Sequence, residues 1–365
     1  MKKIVCVVGT RPEAIKMAPL ILALRKESWA DVCVLATAQH RFLLDQVLSY
    51  FGIKPDIDLD AMRPDQSLTA LVGRLLCGLD GMLLLHKPDV VLAQGDTSTV
   101  LAVALACFYH QIPFAHVEAG LRTGNIDNPF PEEANRVIAA RLARWHFAPT
   151  ETAMKNLIRE GIDARHIFVT GNPVIDALLM VSSRCHFSSL GENAEGRLVL
   201  VTCHRRENFG EPIKAICLAI RRLALNNPTV HFLYPVHPNP NVKKIAHEML
   251  SGLANVELSE PLDYAPFVAA MTRAHFVISD SGGIQEEAPA LGKPVLVLRD
   301  ETERPEAVEA GVVRLVGHDV DRIVAEAQSL LDDPLAYASM ARGVSPYGDG
   351  NAAARMVGIL REHLM

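Results

Sequence analysis

Short apolar runs recur along this chain, each followed by a polar loop holding Gly, Pro, Asn or Asp and then by a helical pattern. Few folds accommodate that alternation. A run such as Ile4 to Val8 is apolar along its whole length rather than at every second residue, so the strand it forms is buried on both faces. Strands of that kind sit in parallel sheets covered by helices, and the alternation predicts doubly wound α/β units. Strands are expected at residues 3–8, 31–37, 88–92, 113–115, 146–149 and 167–170. Helical patterns run from about Ala14 to Lys26, from beyond His40 to about Phe51, and over Leu68–His86, which reads as amphipathic. The pattern weakens through the polar segment Ser182 to Gly196 and restarts at Arg197–Thr202, with further strands at 231–236, 256–258, 276–279 and 294–298 and a helix from about Glu211. At 365 residues the chain exceeds the size at which a single core stops growing. Two domains follow: 1–172 and 173–350, with a closing helix over 351–365 expected to pack back on the first.

Composition narrows the function classes. A net charge of -6 and a pI near 6.2 give no basic face for phosphate backbones, so no nucleic-acid partner is expected. The seven cysteines are odd in number, sit mostly inside apolar runs and form no CxxC pair. Neither a disulfide framework nor a zinc site is suggested, and a reducing, cytoplasmic setting is expected. The Met-Lys-Lys start leads into a run too short for a signal peptide, and no apolar run reaches the roughly 20 residues of a membrane span, so no membrane partner is expected.

The chemistry-bearing residues cluster in loops after strands. The longest, His116 to Arg136, follows the strand at 113–115 and ends in a helix opened by Pro131, with Glu132 and Glu133 in its first turn. In open α/β sheets such loops line the ligand crevice. The plain alternative is a solvated loop whose two glutamates complement a helix dipole. The first loop, Gly9-Thr10-Arg11-Pro12, lacks GxGxxG, so no dinucleotide is indicated. Arg11 and Lys16 near its helix start instead suit an anion, unless Lys16 is merely surface and Arg11 caps a carbonyl. Asp96 in Gln94-Gly95-Asp96 reads either as a helix N-cap or as a third ionisable group on the rim that carries Arg11 and Glu118. In the second half, Ser281-Gly282-Gly283 at a helix start is the best phosphate cradle in the chain, though a tight turn uses the same residues. Glu287, a turn further on, is placed to accept hydrogen bonds from a ribose diol. His204 and His237 follow the strands at 197–202 and 231–236. No metal cluster and no nicotinamide fingerprint is present, so no cofactor is expected.

Assembled, these segments resemble the non-hydrolysing UDP-N-acetylglucosamine 2-epimerases over essentially the whole length. The resemblance rests on Gly9-Thr-Arg-Pro-Glu-Ala-Ile-Lys-Met-Ala-Pro19, Thr37-Ala-Gln-His-Arg41, Gly95-Asp-Thr97, Val117-Glu-Ala-Gly-Leu-Arg-Thr123, Pro131-Glu-Glu-Ala-Asn-Arg136, Asp280-Ser-Gly-Gly-Ile-Gln-Glu-Glu-Ala-Pro289, Thr302-Glu-Arg-Pro-Glu306 and Pro346-Tyr-Gly-Asp-Gly350. It implies two Rossmann-like domains with a cleft between them, as in glycosyltransferase-B folds, and a homodimer. The implied reaction interconverts UDP-GlcNAc and UDP-ManNAc by loss of UDP to a 2-acetamidoglucal and its re-addition, supplying ManNAc units for cell-surface polysaccharide. By resemblance Asp96, Glu118 and Glu132 are the catalytic carboxylates and His204 a further catalytic or diphosphate-contacting group. Arg11, Lys16, Arg136 and His237 would surround substrate charge. Ser281, Gly282, Gly283 and Arg304 would hold the diphosphate, Glu287 the ribose and Phe267 the uracil region.

The family's bacterial members can bind a second UDP-GlcNAc as an activator. Gln39, His40 and Gln66 fit that second site, whereas Phe42 and Asp65 replace polar or basic residues of the regulated members. Cys203 stands before His204 where Gly or Ala is usual, and Leu262 where some members have Gln. Three other classes remain open: a hydrolysing epimerase that releases ManNAc, a UDP-sugar glycosyltransferase of the same fold, and a non-catalytic nucleotide-sugar-binding regulator.

Overall fold

The computed structural model describes residues 1–37, 41–63, 65–184, 196–302 and 304–365, without the side chains at 41–43 and 206. The described chain divides into a first unit, Met1–Ala177 with Tyr347–Met365, and a second, Leu178–Pro346.

In the first unit the elements are β1 (Lys2–Val8), α1 (Arg11–Leu24), β2 (Ala30–Ala36), α2 (Arg41–Tyr50), β3 (Ile57–Asp58), α3 (Leu68–His86), β4 (Val90–Gln94), α4 (Ser98–Tyr109), β5 (Phe114–Val117), α5 (Glu132–Leu142), β6 (Trp145–Ala148), α6 (Glu151–Arg159) and β7 (Ile167–Val169). Helix α7 (Pro173–Ser182) carries the chain across the boundary. Sheet order is β3-β2-β1-β4-β5-β6-β7, parallel throughout. Winding reverses between β1 and β4, which are hydrogen-bonded neighbours with Ile4 opposite Val90. That is the topological switch point, where the loops leaving the two strands diverge and open a crevice at their C-terminal ends.

The second unit repeats the plan with β8 (Leu198–Thr202), α8 (Glu211–Asn226), β9 (His231–Pro235), α9 (Pro240–Leu250), β10 (Val256–Ser259), α10 (Tyr264–Arg273), β11 (Phe276–Ser279), α11 (Gly282–Ala290), β12 (Val295–Val297), α12 (Pro305–Glu309), β13 (Val313–Leu315), α13 (Val320–Asp332) and α14 (Pro334–Met340). Its sheet order, β10-β9-β8-β11-β12-β13, is again parallel, with a switch point between β8 and β11. The closing helix α15 (Ala352–Leu364) belongs to the first unit and packs on α1. Its N-terminus is held by buried Asp176, which accepts from the backbone N–H groups of Ala352 (3.2 Å) and Ala353 (2.9 Å).

The central strands are buried on both faces, which is why their apolar runs are continuous: Ile4 to Val8 and Leu198 to Val201 are all buried. Three sequence expectations need correction. Helix α1 starts at Arg11 rather than Ala14, because Thr10 and Glu13 form a capping box and Pro12 suits the first turn. Strand β4 starts at Val90 rather than Pro88, where Val90 pairs with Ile4, and it continues to Gln94. Helix α3 is less amphipathic than its reading. It is 19 residues long with a mean hydropathy of 1.7, long and apolar enough by composition to cross a membrane. Here it packs against α4, with Leu71, Leu75, Leu79, Met82 and Leu83 in the first unit's core.

Candidate active site

Four of the first unit's expected site residues lie around its switch point. Arg11 is the first residue of α1, and Lys16 lies further along the same helix. Asp96 follows β4, and Glu118 follows β5, whose strand runs two residues beyond the expected end at Ala115. Asp96 is not the cap of α4; Thr97 is, accepting from the Val100 N–H. The next residue before the cap is thereby left to point elsewhere, and its carboxylate meets the Arg136 guanidinium. Desolvation raises the Asp96 carboxyl above its ordinary value and outweighs that guanidinium.

Glu118 is nearly buried and has φ +63°, a left-handed conformation that costs a side-chain-bearing residue about 1 kcal/mol or more. Such strain persists only where the surroundings hold it. Lys16 Nζ donates to both carboxylate oxygens, at 2.6 and 2.7 Å. Asn172 Nδ2 donates to Oε1 at 2.8 Å, and Gln94 Nε2 donates to Oε2. Val117 pairs with Gln94 across the sheet, which is what sets Gln94 beside Glu118. Lys16 and Arg136, expected to face substrate charge, each hold a carboxylate here. They offset the like charges that would otherwise crowd one rim.

The loop carrying Asp96 is fixed at three successive residues. His116 Nε2 lies 2.7 Å from the Gly95 carbonyl, and burial lowers this imidazole to about 4, so it is neutral and donates. Asn135 Nδ2 donates to the Asp96 carbonyl at 2.9 Å. The Thr97 hydroxyl donates to Glu13 Oε1 at 2.6 Å, while Glu13 Oε2 accepts from Gly9 N (2.5 Å) and Thr10 N (3.0 Å). Of the paired glutamates on α5, Glu133 is the buried one. It accepts from Thr123 N (3.1 Å) and Gly124 N (3.2 Å) and pairs with Arg136, closing the 118–131 loop on the helix that ends it. The side chains of Glu132 and Arg11 are half-buried and have no hydrogen-bond partner among the described residues.

The second unit's switch point gathers the rest. Asp280 follows β11 and is fully buried; its Oδ2 accepts from His204 N (2.9 Å), Arg205 N (2.8 Å), Asn208 Nδ2 (2.8 Å) and the Cys203 thiol (3.2 Å). Burial alone would raise its carboxyl. His204, with Nδ1 3.2 Å from Asp280 Oδ1, and the two backbone donors outweigh burial and hold the carboxyl far below the usual carboxylate range. With Nδ1 turned to Asp280, His204 keeps Nε2 for other partners, and its side chain is 41% exposed. His237 stacks on it at 6.1 Å between ring centroids. Desolvation, then His204, lowers the His237 imidazole, whose Nδ1 accepts the Asn239 N–H at 3.2 Å. Cys203, the departure noted above, turns its thiol to Asp280 and lies within the second unit's core.

Helix α11 opens at Ser281 with no side-chain cap, so its first N–H groups are not closed off by that hydroxyl. Over this end converge two guanidinium groups. A Cβ on residue 282 would stand 2.8 Å from Arg304 Nη1 and 3.4 Å from Arg205 Nη2. Arg304 is steered there by buried Glu286, 2.5 Å from its Nε, and by Thr302, which accepts the Arg304 N–H (3.1 Å) and donates to Gln285 (2.6 Å). Two cations at the positive end of a helix oppose its dipole, so the arrangement fits an anion with more than one charge. Glu287 is buried and accepts from the Tyr264 hydroxyl at 3.2 Å, one turn from the glycines. Phe267 lies half-buried on α10.

A family model for UDP-N-acetylglucosamine 2-epimerase matches residues 22–361. The chain belongs to the UDP-N-acetylglucosamine 2-epimerase family. The Salmonella typhimurium UDP-N-acetylglucosamine 2-epimerase is 52% identical over 371 residues, 99% of each chain. Among solved structures, the Neisseria meningitidis UDP-GlcNAc 2-epimerase bound to UDP-GlcNAc superposes with a TM-score of 0.91 at 49% identity, covering 99% of this chain and 100% of that one. The kitacinnamycin glycosyltransferase, 14% identical with a TM-score of 0.69 over 100% of this chain and 99% of its own, shares the fold.

Within this family member, sequence reasoning missed Asp280, Gln94, Asn172, Glu13 and Arg205 as parts of the site. Asp280 had a visible signal: an acid at a strand end before Ser-Gly-Gly, the counterpart of Asp96. Of the second-site candidates, Gln39 and His40 lie outside the described residues. Gln66 accepts from Arg63 N at 3.2 Å and rests on the Met62 sulfur, a local role. Among the described residues no group of three or more His, Cys, Asp and Glu side chains is arranged to hold a metal ion.

Proposed function

We propose that this chain interconverts UDP-GlcNAc and UDP-ManNAc without hydrolysis, by elimination of UDP to a 2-acetamidoglucal and re-addition of UDP at C1 with a proton delivered to the opposite face of C2. The C2 hydrogen is not beside a carbonyl and is barely acidic; it becomes removable only as the C1–O bond to UDP breaks and positive charge builds on the ring. The protein must therefore stabilise a departing diphosphate and a cationic sugar together. The end of α11, with Gly282, Gly283, Arg304 and Arg205, supports the first task, and His204 stands close by. Glu287 would take the ribose and Phe267 the uracil region. Asp96, Glu118 and Glu132 support the second task, with Arg11 free to meet substrate charge. Inversion needs a proton removed from one face and delivered to the other, hence more than one acid/base group.

The observation that carries this reading is the pair Asp96 and Glu118 at one switch point. Asp96 has a raised affinity for a proton, and Glu118 is surrounded by donors that suit an anion. The resemblance also implies a homodimer, supported by exposed apolar side chains at the ends of α3 and α4. The odd number of cysteines, mostly inside apolar runs and without a CxxC pair, supports a reducing, cytoplasmic setting.

The test is proton NMR of the purified protein with UDP-GlcNAc in D2O. The expected result is a UDP-ManNAc signal set with deuterium at C2 of both nucleotide sugars. Free ManNAc with UDP would replace this reading by hydrolysis, and no change without an added acceptor would replace it by transfer.

A further inference from the structure

We infer that Asn172 is a positioning residue for Glu118, set where the outgoing and returning segments of the first unit meet; this rests on the catalytic reading of Glu118. Asn172 is buried in the turn before α7. Its Oδ1 accepts the Val174 N–H at 3.2 Å, and its Nδ2 donates to Glu118 Oε1 at 2.8 Å. Its own backbone N–H donates to the Tyr347 carbonyl at 2.6 Å, just after the chain re-enters the first unit. Gly171 (φ +87°) and Gly348 (φ +140°) permit that approach: a Cβ on Gly171 would lie 3.2 Å from Gly348 Cα.

The residue type carries the argument. Accepting an N–H at a helix start is a task that Asp, Ser or Thr performs as well as Asn. Only the amide carries its acceptor and its donor on separate atoms, so that one end holds the helix start while the other reaches Glu118, and the Val174 N–H fixes which end faces it. An aspartate would put a second carboxylate against the first. Glu118 needs the grip, because its left-handed backbone persists only where the surroundings hold it. Lys16 spans both oxygens and supplies charge. Gln94 and Asn172 take one oxygen each and so set the plane of the carboxylate. Among the described residues, Asp96 after β4 and His116 on its own strand are ionisable groups that feel the charge of Glu118.

The test compares N172S, N172D and E118Q by steady-state epimerisation across pH, UDP affinity and thermal melting. Serine keeps the capping oxygen and the backbone N–H but loses the donor to Glu118. N172S is expected to lower kcat about tenfold, with KM and UDP affinity within about twofold, and to move the acid limb of kcat to higher pH. N172D is expected to lose about a hundredfold near neutrality and to regain activity relative to wild type as pH falls, since the introduced carboxyl, once protonated, can again donate. Normal kcat and pH profile in N172S, with E118Q inactive, would overturn the role of Asn172 and leave that of Glu118. Equal losses at every pH in N172S and N172D, tracking lowered melting temperatures, would also overturn it, as a structural effect. Full turnover in E118Q would instead overturn the reading of Glu118 itself.

Discussion

Glu13 joins the loop after β1 to the loop after β4 through a single carboxyl, and it is 3% exposed. Desolvation raises this group from 4.5 to about 7, against the three donors that favour its ionised form. Between about pH 4.5 and 7 the folded chain holds a proton that the unfolded chain has released, so stability present below pH 4.5 is lost as pH rises through 7. Glu13→Gln keeps an oxygen for the two N–H groups and an amide for the Thr97 hydroxyl, but it has nothing to titrate. Melting temperatures of wild type and variant between pH 5 and 8 are expected to show a fall in wild type that is flattened in the variant. Equal slopes would remove Glu13 as the source. In the sequence Glu13 was visible only as one letter of a motif. Its importance comes from Thr97, 84 residues away, and that of Asn172 from Glu118, 54 residues away. Separations of that size are set by strand order, which no local pattern encodes.

Elements were legible where a long or fully apolar run gave a clear pattern. Strand β11, buried at every position, matches its expected bounds of 276–279, and α3 matches 68–86. Strand β3, two residues long, and β13, three, lie at sheet edges and are too short to show a period. The phosphate cradle was legible because Gly-Gly at a helix start is a local signal; the two arginines above it were not both, since Arg205 arrives from a different strand end. Helix α11 makes its own prediction. Gly282 has helical backbone, so an alanine there adds no φ strain, and the nearest atoms are the far ends of Arg304 and Arg205. Those side chains can shift, so Gly282→Ala is expected to fold with little change in melting temperature. The same shift displaces the guanidinium groups and fills the approach to the backbone N–H groups, and UDP affinity by calorimetry is expected to fall about tenfold or more. Unchanged affinity would place the diphosphate elsewhere.

Only 28% of the apolar length of α3 is buried within the chain. Its polar groups tie it inward rather than marking a free face. Arg74 donates to the Ala61 carbonyl at 3.0 Å, and Asp80 meets His110 at the end of α4 at 2.7 Å. Helices α3 and α4 both run toward the N-terminal edge of the sheet, α3 leading into β4 and α4 leading into β5. Their ends therefore lie away from the switch-point loops, and there Leu84, Leu85, Phe108 and Tyr109 are exposed, Leu85 at 78% and Tyr109 at 72%. Large apolar side chains gathered on two adjacent helix ends are the kind of surface that a protein partner covers. The proposed homodimer would cover it symmetrically, each patch against its equivalent, without obstructing the loops at the opposite edge. Light scattering after size exclusion is expected to give wild type twice the 39.9 kDa chain mass. The double substitution Leu85→Glu with Tyr109→Glu, which puts like charges into such a contact and disturbs nothing buried, is expected to give the mass of one chain with its melting transition retained. A wild-type protein of single-chain mass at micromolar concentration, or a double variant that keeps the dimer mass, would remove this face as the interface.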